Sequence, residues 1–187
     1  MRLEKIPNFI SEEERKQLIS WMDKAIEDNI MVEGLSRGKM GYSKRKTTRI
    51  YDGRPNYPEV AYKIQKRILD KFEWTNKCFV EPMPKKDGML AVITYPGGDT
   101  YKHRDPKMVG SAVRFNIILQ KPESGGELYV EGENFDSEEG ELHCYNVTEQ
   151  THWVTEVGGS KPRYLWIFGM SVPYLDWEDG KVKQKVE

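Results

Sequence analysis

The chain has 187 residues, 32% charged and 37% hydrophobic, with a formal net charge of −1 at pH 7. That length suffices for one domain with a sizeable core, and the near-neutral balance gives no global electrostatic argument for nucleic acid or an anionic membrane. No apolar run approaches the roughly 18 residues of a membrane span, the stretch Met1–Pro7 lacks the apolar core of a signal peptide, and two cysteines, Cys78 and Cys144, do not make a disulfide framework. The expected setting is therefore reducing and cytoplasmic.

Taken in chain order, Ser11 followed three residues later by Glu14 is a capping box, and Leu18, Trp21, Met22, Ala25 and Ile26 then fall on one helical face. Residues 33–49 change character. Arg37, Lys39, Lys44, Arg45, Lys46 and Arg49 stand among glycines without a helical stripe. They read either as a solvated loop or as a substrate-facing lid suited to an acidic partner, with Tyr42 and Tyr51 as stacking surface. Pro58 fits the first turn of a second helix, whose stripe is Ala61, Ile64, Ile68, Leu69 and Phe72 and whose end is expected near residues 74–76. A short strand around residues 78–81 and a turn over 82–88 follow.

From residue 89 the period switches to two. Strands are expected near 89–95, 101–105, 112–120, 126–131, 140–145, 152–157 and 162–172, separated by Gly and Pro turns. Many short strands of this kind suggest a sandwich or jelly roll. The expected fold class is α+β, mainly β, as one domain over residues 1–187: a helical part over about 1–76, a β-barrel over about 77–175, and a polar tail over 176–187 that frays.

The chemistry concentrates in Tyr95-Pro-Gly-Gly-Asp-Thr-Tyr-Lys-His103-Arg-Asp105. On a strand, His103 and Asp105 point to one face and Arg104 to the other. One imidazole and one carboxylate need a third ligand, and the chain offers His143 or His152. Two His and one carboxylate on one face of an ion leave positions open, the arrangement of non-haem Fe(II) oxygenases. Arg163 shares a strand face with Leu165 and Ile167. A cation among apolar neighbours needs an anion, and a bound oxo-acid carboxylate supplies one bidentately.

The ordered set of the Tyr and Gly-rich turn, His103-Arg-Asp105, the Arg114-led strand, the Gly125-Gly-Glu127 turn, His152 and Arg163 resembles the 2-oxoglutarate/Fe(II)-dependent dioxygenases, particularly the prolyl-4-hydroxylase-like branch. The resemblance covers roughly residues 89–172. It implies a double-stranded β-helix with two N-terminal helices packed on the sheet. It also implies Fe(II) held by His103, Asp105 and His152, with 2-oxoglutarate anchored by Arg163 and Tyr95, and ascorbate as a candidate auxiliary reductant. His143 is left to barrel packing or solvent. The branch resembled implies a protein or peptide side chain as substrate, prolyl or otherwise, ahead of a free amino acid or small metabolite; Arg163 stands where that branch has Lys, a departure that counts against proline in particular. An AlkB-like nucleic-acid demethylase is the alternative favoured by the basic segment, but the second arginine of that family falls here on Gly169. The other alternative is a barrel that binds metal or ligand without turnover, against which the full set of four site residues argues.

Overall fold

Helix α1 (Glu12–Glu27) begins where the sequence places its cap. Ser11 accepts from the Glu14 backbone N–H at 3.2 Å, and the Glu14 side chain accepts from the Ser11 N–H at 2.8 Å, so two orphan donors are satisfied. The structure is a computed structural model describing residues 4–36, 39–40, 44–48, 56–72, 79–80, 88–106, 111–135, 137–172, 175–178 and 181–184. Arg37, Tyr42, Arg49, Tyr51, Cys78 and residues 82–87 of the expected turn lie outside these; the second helix, expected to end near residues 74–76, ends earlier, at Lys71, with Phe72 already extended.

In the first part of the chain, strand β1 (Glu4–Ile6) precedes α1. After it come β2 (Met31–Glu33), a small hairpin of β3 (Leu35–Ser36) and β4 (Lys39–Met40), β5 (Arg45–Thr48), α2 (Glu59–Lys71) and β6 (Phe79–Val80). Residues 33–49, read from the sequence as a loop or lid, thus contain strand structure. β5 is hydrogen-bonded on both edges, to β2 and to β7 (Met89–Thr94). Its residues Arg-Lys-Thr-Thr carry no hydrophobic signal; the neighbouring strands hold them in place by pairing every other backbone group.

Beyond β7 run β8 (Thr100–His103), β9 (Ser111–Gln120), β10 (Ser124–Gly125), β11 (Leu128–Val130), β12 (Glu133–Asn134), β13 (Leu142–Asn146), β14 (His152–Val154), β15 (Val157–Gly158) and β16 (Arg163–Val172). The tail expected to fray forms an antiparallel hairpin, β17 (Leu175–Glu178) with β18 (Lys181–Gln184).

Two sheets carry the architecture. The larger has eight strands, ordered β1-β13-β9-β16-β7-β5-β2 with β6 paired to β16; the smaller is ordered β12-β11-β14-β8. Alternation sorts the side chains of the large sheet. Val113, Phe115, Ile117 and Leu119 of β9, with Trp166, Phe168 and Met170 of β16, face the helices and pack against Leu18, Met22, Ala25, Ile64 and Ile68. Trp21 of α1, Tyr57 and Trp166 pack ring to ring at 5.3–5.5 Å and pin helix to sheet. The other face of the large sheet turns to the small sheet. Val92, Ile118 and Leu165 form one apolar cluster there, and Tyr145 meets Leu128 and Val130 in another. Between these two inner faces lies the site.

Candidate metal centre

β8 and β14 pair antiparallel with His103 directly opposite His152, which brings their rings to a centroid distance of 4.4 Å. Asp105 lies two residues past His103, just beyond the end of β8, and its backbone N–H donates to the Val147 carbonyl at 2.8 Å, which fixes the turn of the chain. One ligand atom from each of His103, Asp105 and His152 lies within 4.8 Å of the others.

The imidazoles are held in a ligating tautomer. His103 Nδ1 lies 2.6 Å from the Tyr101 carbonyl and His152 Nδ1 3.0 Å from the Gln150 carbonyl. A carbonyl only accepts, so each Nδ1 carries a proton, and Nε2 is the atom left to ligate when the ring is neutral; without a metal, His103 gains a second proton at Nε2 when it donates to Asp105. The His103 Nε2 lies 3.3 Å from Asp105 Oδ1, and Arg114 Nη2 donates to Asp105 Oδ2 at 3.4 Å. The Asp105 hydrogen bond raises the pKa of His103, whereas burial lowers that of His152. Burial pushes Asp105 up, but the hydrogen bond from His103 and the charge of Arg114 outweigh it and hold its carboxyl below the usual range. Anionic carboxylate and neutral imidazole are the forms that bind a divalent ion. Arg104, between the ligands, turns outward to Thr151 Oγ1 at 2.9 Å and to Glu131 at 3.7 Å.

The floor of the site comes from the inner face of β9 and β13, where Arg114 lies opposite Tyr145 and Asn116 opposite His143. The Tyr145 ring packs edge-on against His152 at 5.3 Å, its hydroxyl accepts from Asn116 Nδ2 at 3.3 Å, and burial pushes that hydroxyl up to about 12. Sequence reasoning passed over Tyr145, although its alternation with His143 on one strand was a usable signal.

Arg163 opens β16, is 5% exposed and faces inward, paired across the sheet with Thr94. It lines a cavity of about 20 Å³ together with His143, Ser137, Gly126 and Leu128. His143 is fully buried, with Nδ1 3.1 Å from Ser137 Oγ, and burial pushes its pKa down to about 3. It lies on the Arg163 side of Tyr145, apart from the triad. Tyr95 is placed on the other face of the sheet. It packs against the helix-side core, where burial and then the charges of Glu33 and Asp23 raise the pKa of its hydroxyl, and the structure does not bring it to the triad.

No protein-family model and no curated protein matches the chain. Solved structures do. A collagen prolyl hydroxylase of Paramecium Bursaria Chlorella virus-1, in its 2OG complex, is 20% identical with a TM-score of 0.66, covering 92% of this chain and 97% of that one. The chain has the prolyl hydroxylase fold. A Trichoplax adhaerens prolyl hydroxylase, in complex with a peptide fragment of the hypoxia inducible factor oxygen degradation domain, is 15% identical at TM-score 0.65, covering 90% and 82%. A Pseudomonas putida prolyl-4-hydroxylase is 14% identical at TM-score 0.61, covering 91% and 92%.

Proposed function

We propose that the protein is a non-haem Fe(II)- and 2-oxoglutarate-dependent dioxygenase that hydroxylates a protein, peptide or amino-acid-like substrate, built on a double-stranded β-helix. The observation that carries this reading is the His103–Asp105–His152 cluster with both Nδ1 atoms tied to backbone carbonyls. Two imidazole nitrogens and one carboxylate converging on a point, with a basic residue further inside, are the donor set a facial Fe(II) site requires.

Each residue then has a task. His103 and His152 present Nε2, and Asp105 presents a carboxylate oriented by Arg114. The buried guanidinium of Arg163 offers two parallel donors to the distal carboxylate of the co-substrate. Tyr145 and the apolar pair Leu128 and Val130 wall the space beside His152 and exclude water from it. Iron(II) and 2-oxoglutarate, once bound, supply the activation of O₂ and the oxidising equivalents, and the protein supplies position and shielding. A peptide substrate is supported by the fold shared with an enzyme seen bound to a peptide fragment.

The test is anaerobic titration with Fe(II) and then 2-oxoglutarate, following the weak visible metal-to-ligand charge-transfer band. The reading requires a band in the wild type. It also requires Arg163→Met to raise the 2-oxoglutarate Kd at least about tenfold, the lower end for a lost charge-assisted bond, with metal affinity retained. Metal binding without a band would end the co-substrate assignment, and absence of metal binding would end the whole reading.

A further inference from the structure

One more cation lies inside the barrel, and neither the metal cluster nor the co-substrate reading uses it. Arg45 of β5 pairs across the sheet with Thr94, which pairs in turn with Arg163, so the two arginines flank Thr94 on the inner face. Two inter-strand spacings set their Cα atoms about 10 Å apart. Arg45 Nη1 donates to Thr100 Oγ1 of the facing strand β8 at 3.4 Å, while its buried Nε has no hydrogen-bond partner among the described residues. No ion pair to Arg45 forms among the described residues; Asp105, Asp99 and the Tyr145 hydroxyl act on it only at longer range. Burial lowers the Arg45 pKa, and the side chain as a whole is part-buried. A part-buried guanidinium with no carboxylate in contact gains a charge-assisted pair when an anion joins it.

The position separates the two arginines by task. Arg163 lies at the inner end, beside His143 and the small cavity. Arg45 reaches β8, an edge strand of the small sheet that carries His103 and the exposed Tyr101, and its charge acts on His103. Metal and Arg163 take the two ends of 2-oxoglutarate, which leaves Arg45 on the side where a second molecule approaches the metal.

We propose that Arg45 recognises a carboxylate of the primary substrate, so that the residue hydroxylated, or one adjoining it, is acidic. This rests on the dioxygenase reading above. The planar donor edge of a guanidinium matches a carboxylate. With Asp105 and Asp99 close enough to act on the same cation, a monoanion fits better than a dianionic phosphate.

The experiment uses the full chain loaded with Mn(II) and saturating 2-oxoglutarate. Paramagnetic relaxation of peptide protons reports binding near the metal. The probes are N-acetylated, C-amidated tripeptides with central Asp or Glu, against their Asn and Gln isosteres. In the wild type the acidic peptides bind at least about tenfold tighter than the amides, the scale of one charge-assisted pair. Arg45→Met abolishes that preference and leaves the 2-oxoglutarate Kd within about threefold, a margin well short of one charge-assisted bond. Arg45→Lys, which keeps a cation in the strand, retains part of the preference. The proposal is overturned if acid and amide peptides bind alike or none is relaxed, or if Arg45→Met weakens 2-oxoglutarate and spares the peptide preference. Loss of Mn(II) or 2-oxoglutarate binding in the wild type is a different failure, read in the loading step, and it removes the dioxygenase reading itself.

Discussion

Asp105→Ala is the sharpest perturbation of the site, because the carboxylate has two separable roles. It is one of three donors to the metal, and it accepts from Arg114 at 3.4 Å while standing 3.3 Å from His103 Nε2. At a divalent metal concentration about 100-fold above Kd, ligand linkage stabilises the wild type by about 2.7 kcal/mol. For a chain of this length, about 2–4 °C per kcal/mol turns this into a rise in Tm of about 5–11 °C. Losing one first-rank donor weakens metal at least as much as losing an outer partner, about 100-fold. The linkage then falls to about 0.4 kcal/mol, a rise of about 1–2 °C. In metal-free protein the same substitution destabilises by about 1–2 kcal/mol, the scale of a part-buried charge-assisted contact. Differential scanning fluorimetry with Mn(II), with and without chelator, reads both roles. A metal-induced shift equal in variant and wild type would refute the ligand assignment.

Other outcomes follow from the same structure. Buried His143 is held neutral down to about pH 3, whereas the unfolded chain protonates near its ordinary value; the unfolded state therefore binds the extra proton between these, and stability falls on acidification by up to about 1.4 kcal/mol per pH unit. Urea unfolding of wild type and His143→Leu from pH 7 to 4 should show that slope reduced in the variant. Glu14 is held below the usual carboxylate range, first by its hydrogen bond from Arg67 Nη2 at 2.5 Å, so its contribution is present above about pH 4.3 and is lost as pH falls through the lower folded value. Glu14→Gln should lose a few tenths to about 1 kcal/mol at pH 7, the range for an exposed pair, and the gap should close by acid. At Gly125, φ is +64° and an added Cβ would collide with the Glu156 carbonyl. Gly125→Ala should destabilise by about 2–4 kcal/mol, combining strain and overpacking, and unaltered urea stability would show that this turn can move.

Much of the site was legible along the chain because its signals are local. The capping box at Ser11 and Glu14 needs only four residues, and the two apolar stripes need one helix each. His103 and Asp105 are two residues apart, and His152 and Arg163 follow in the order on which the resemblance to the 2-oxoglutarate/Fe(II)-dependent dioxygenases rests. Among three histidines, the tertiary structure gathers His152 with His103 and buries His143 elsewhere.

What the sequence could not decide depends on pairing between distant strands. Arg45 looked like one more charge in a basic stretch. Only the register of β5 against β7, 45 to 49 residues on in the chain, turns it into the space between the two sheets beside Thr94. Tyr95 looked like a site residue from its place before His103, but the face it takes follows from how β7 ends against the helices, and that face is the helix side. Tyr145 reaches His152 because β13 and β14 lie in different sheets whose inner faces meet. Periodicity along a strand states which residues share a face. Which face becomes the interior, and what stands across from it, is set by contacts between segments far apart in the chain, and no local pattern encodes those.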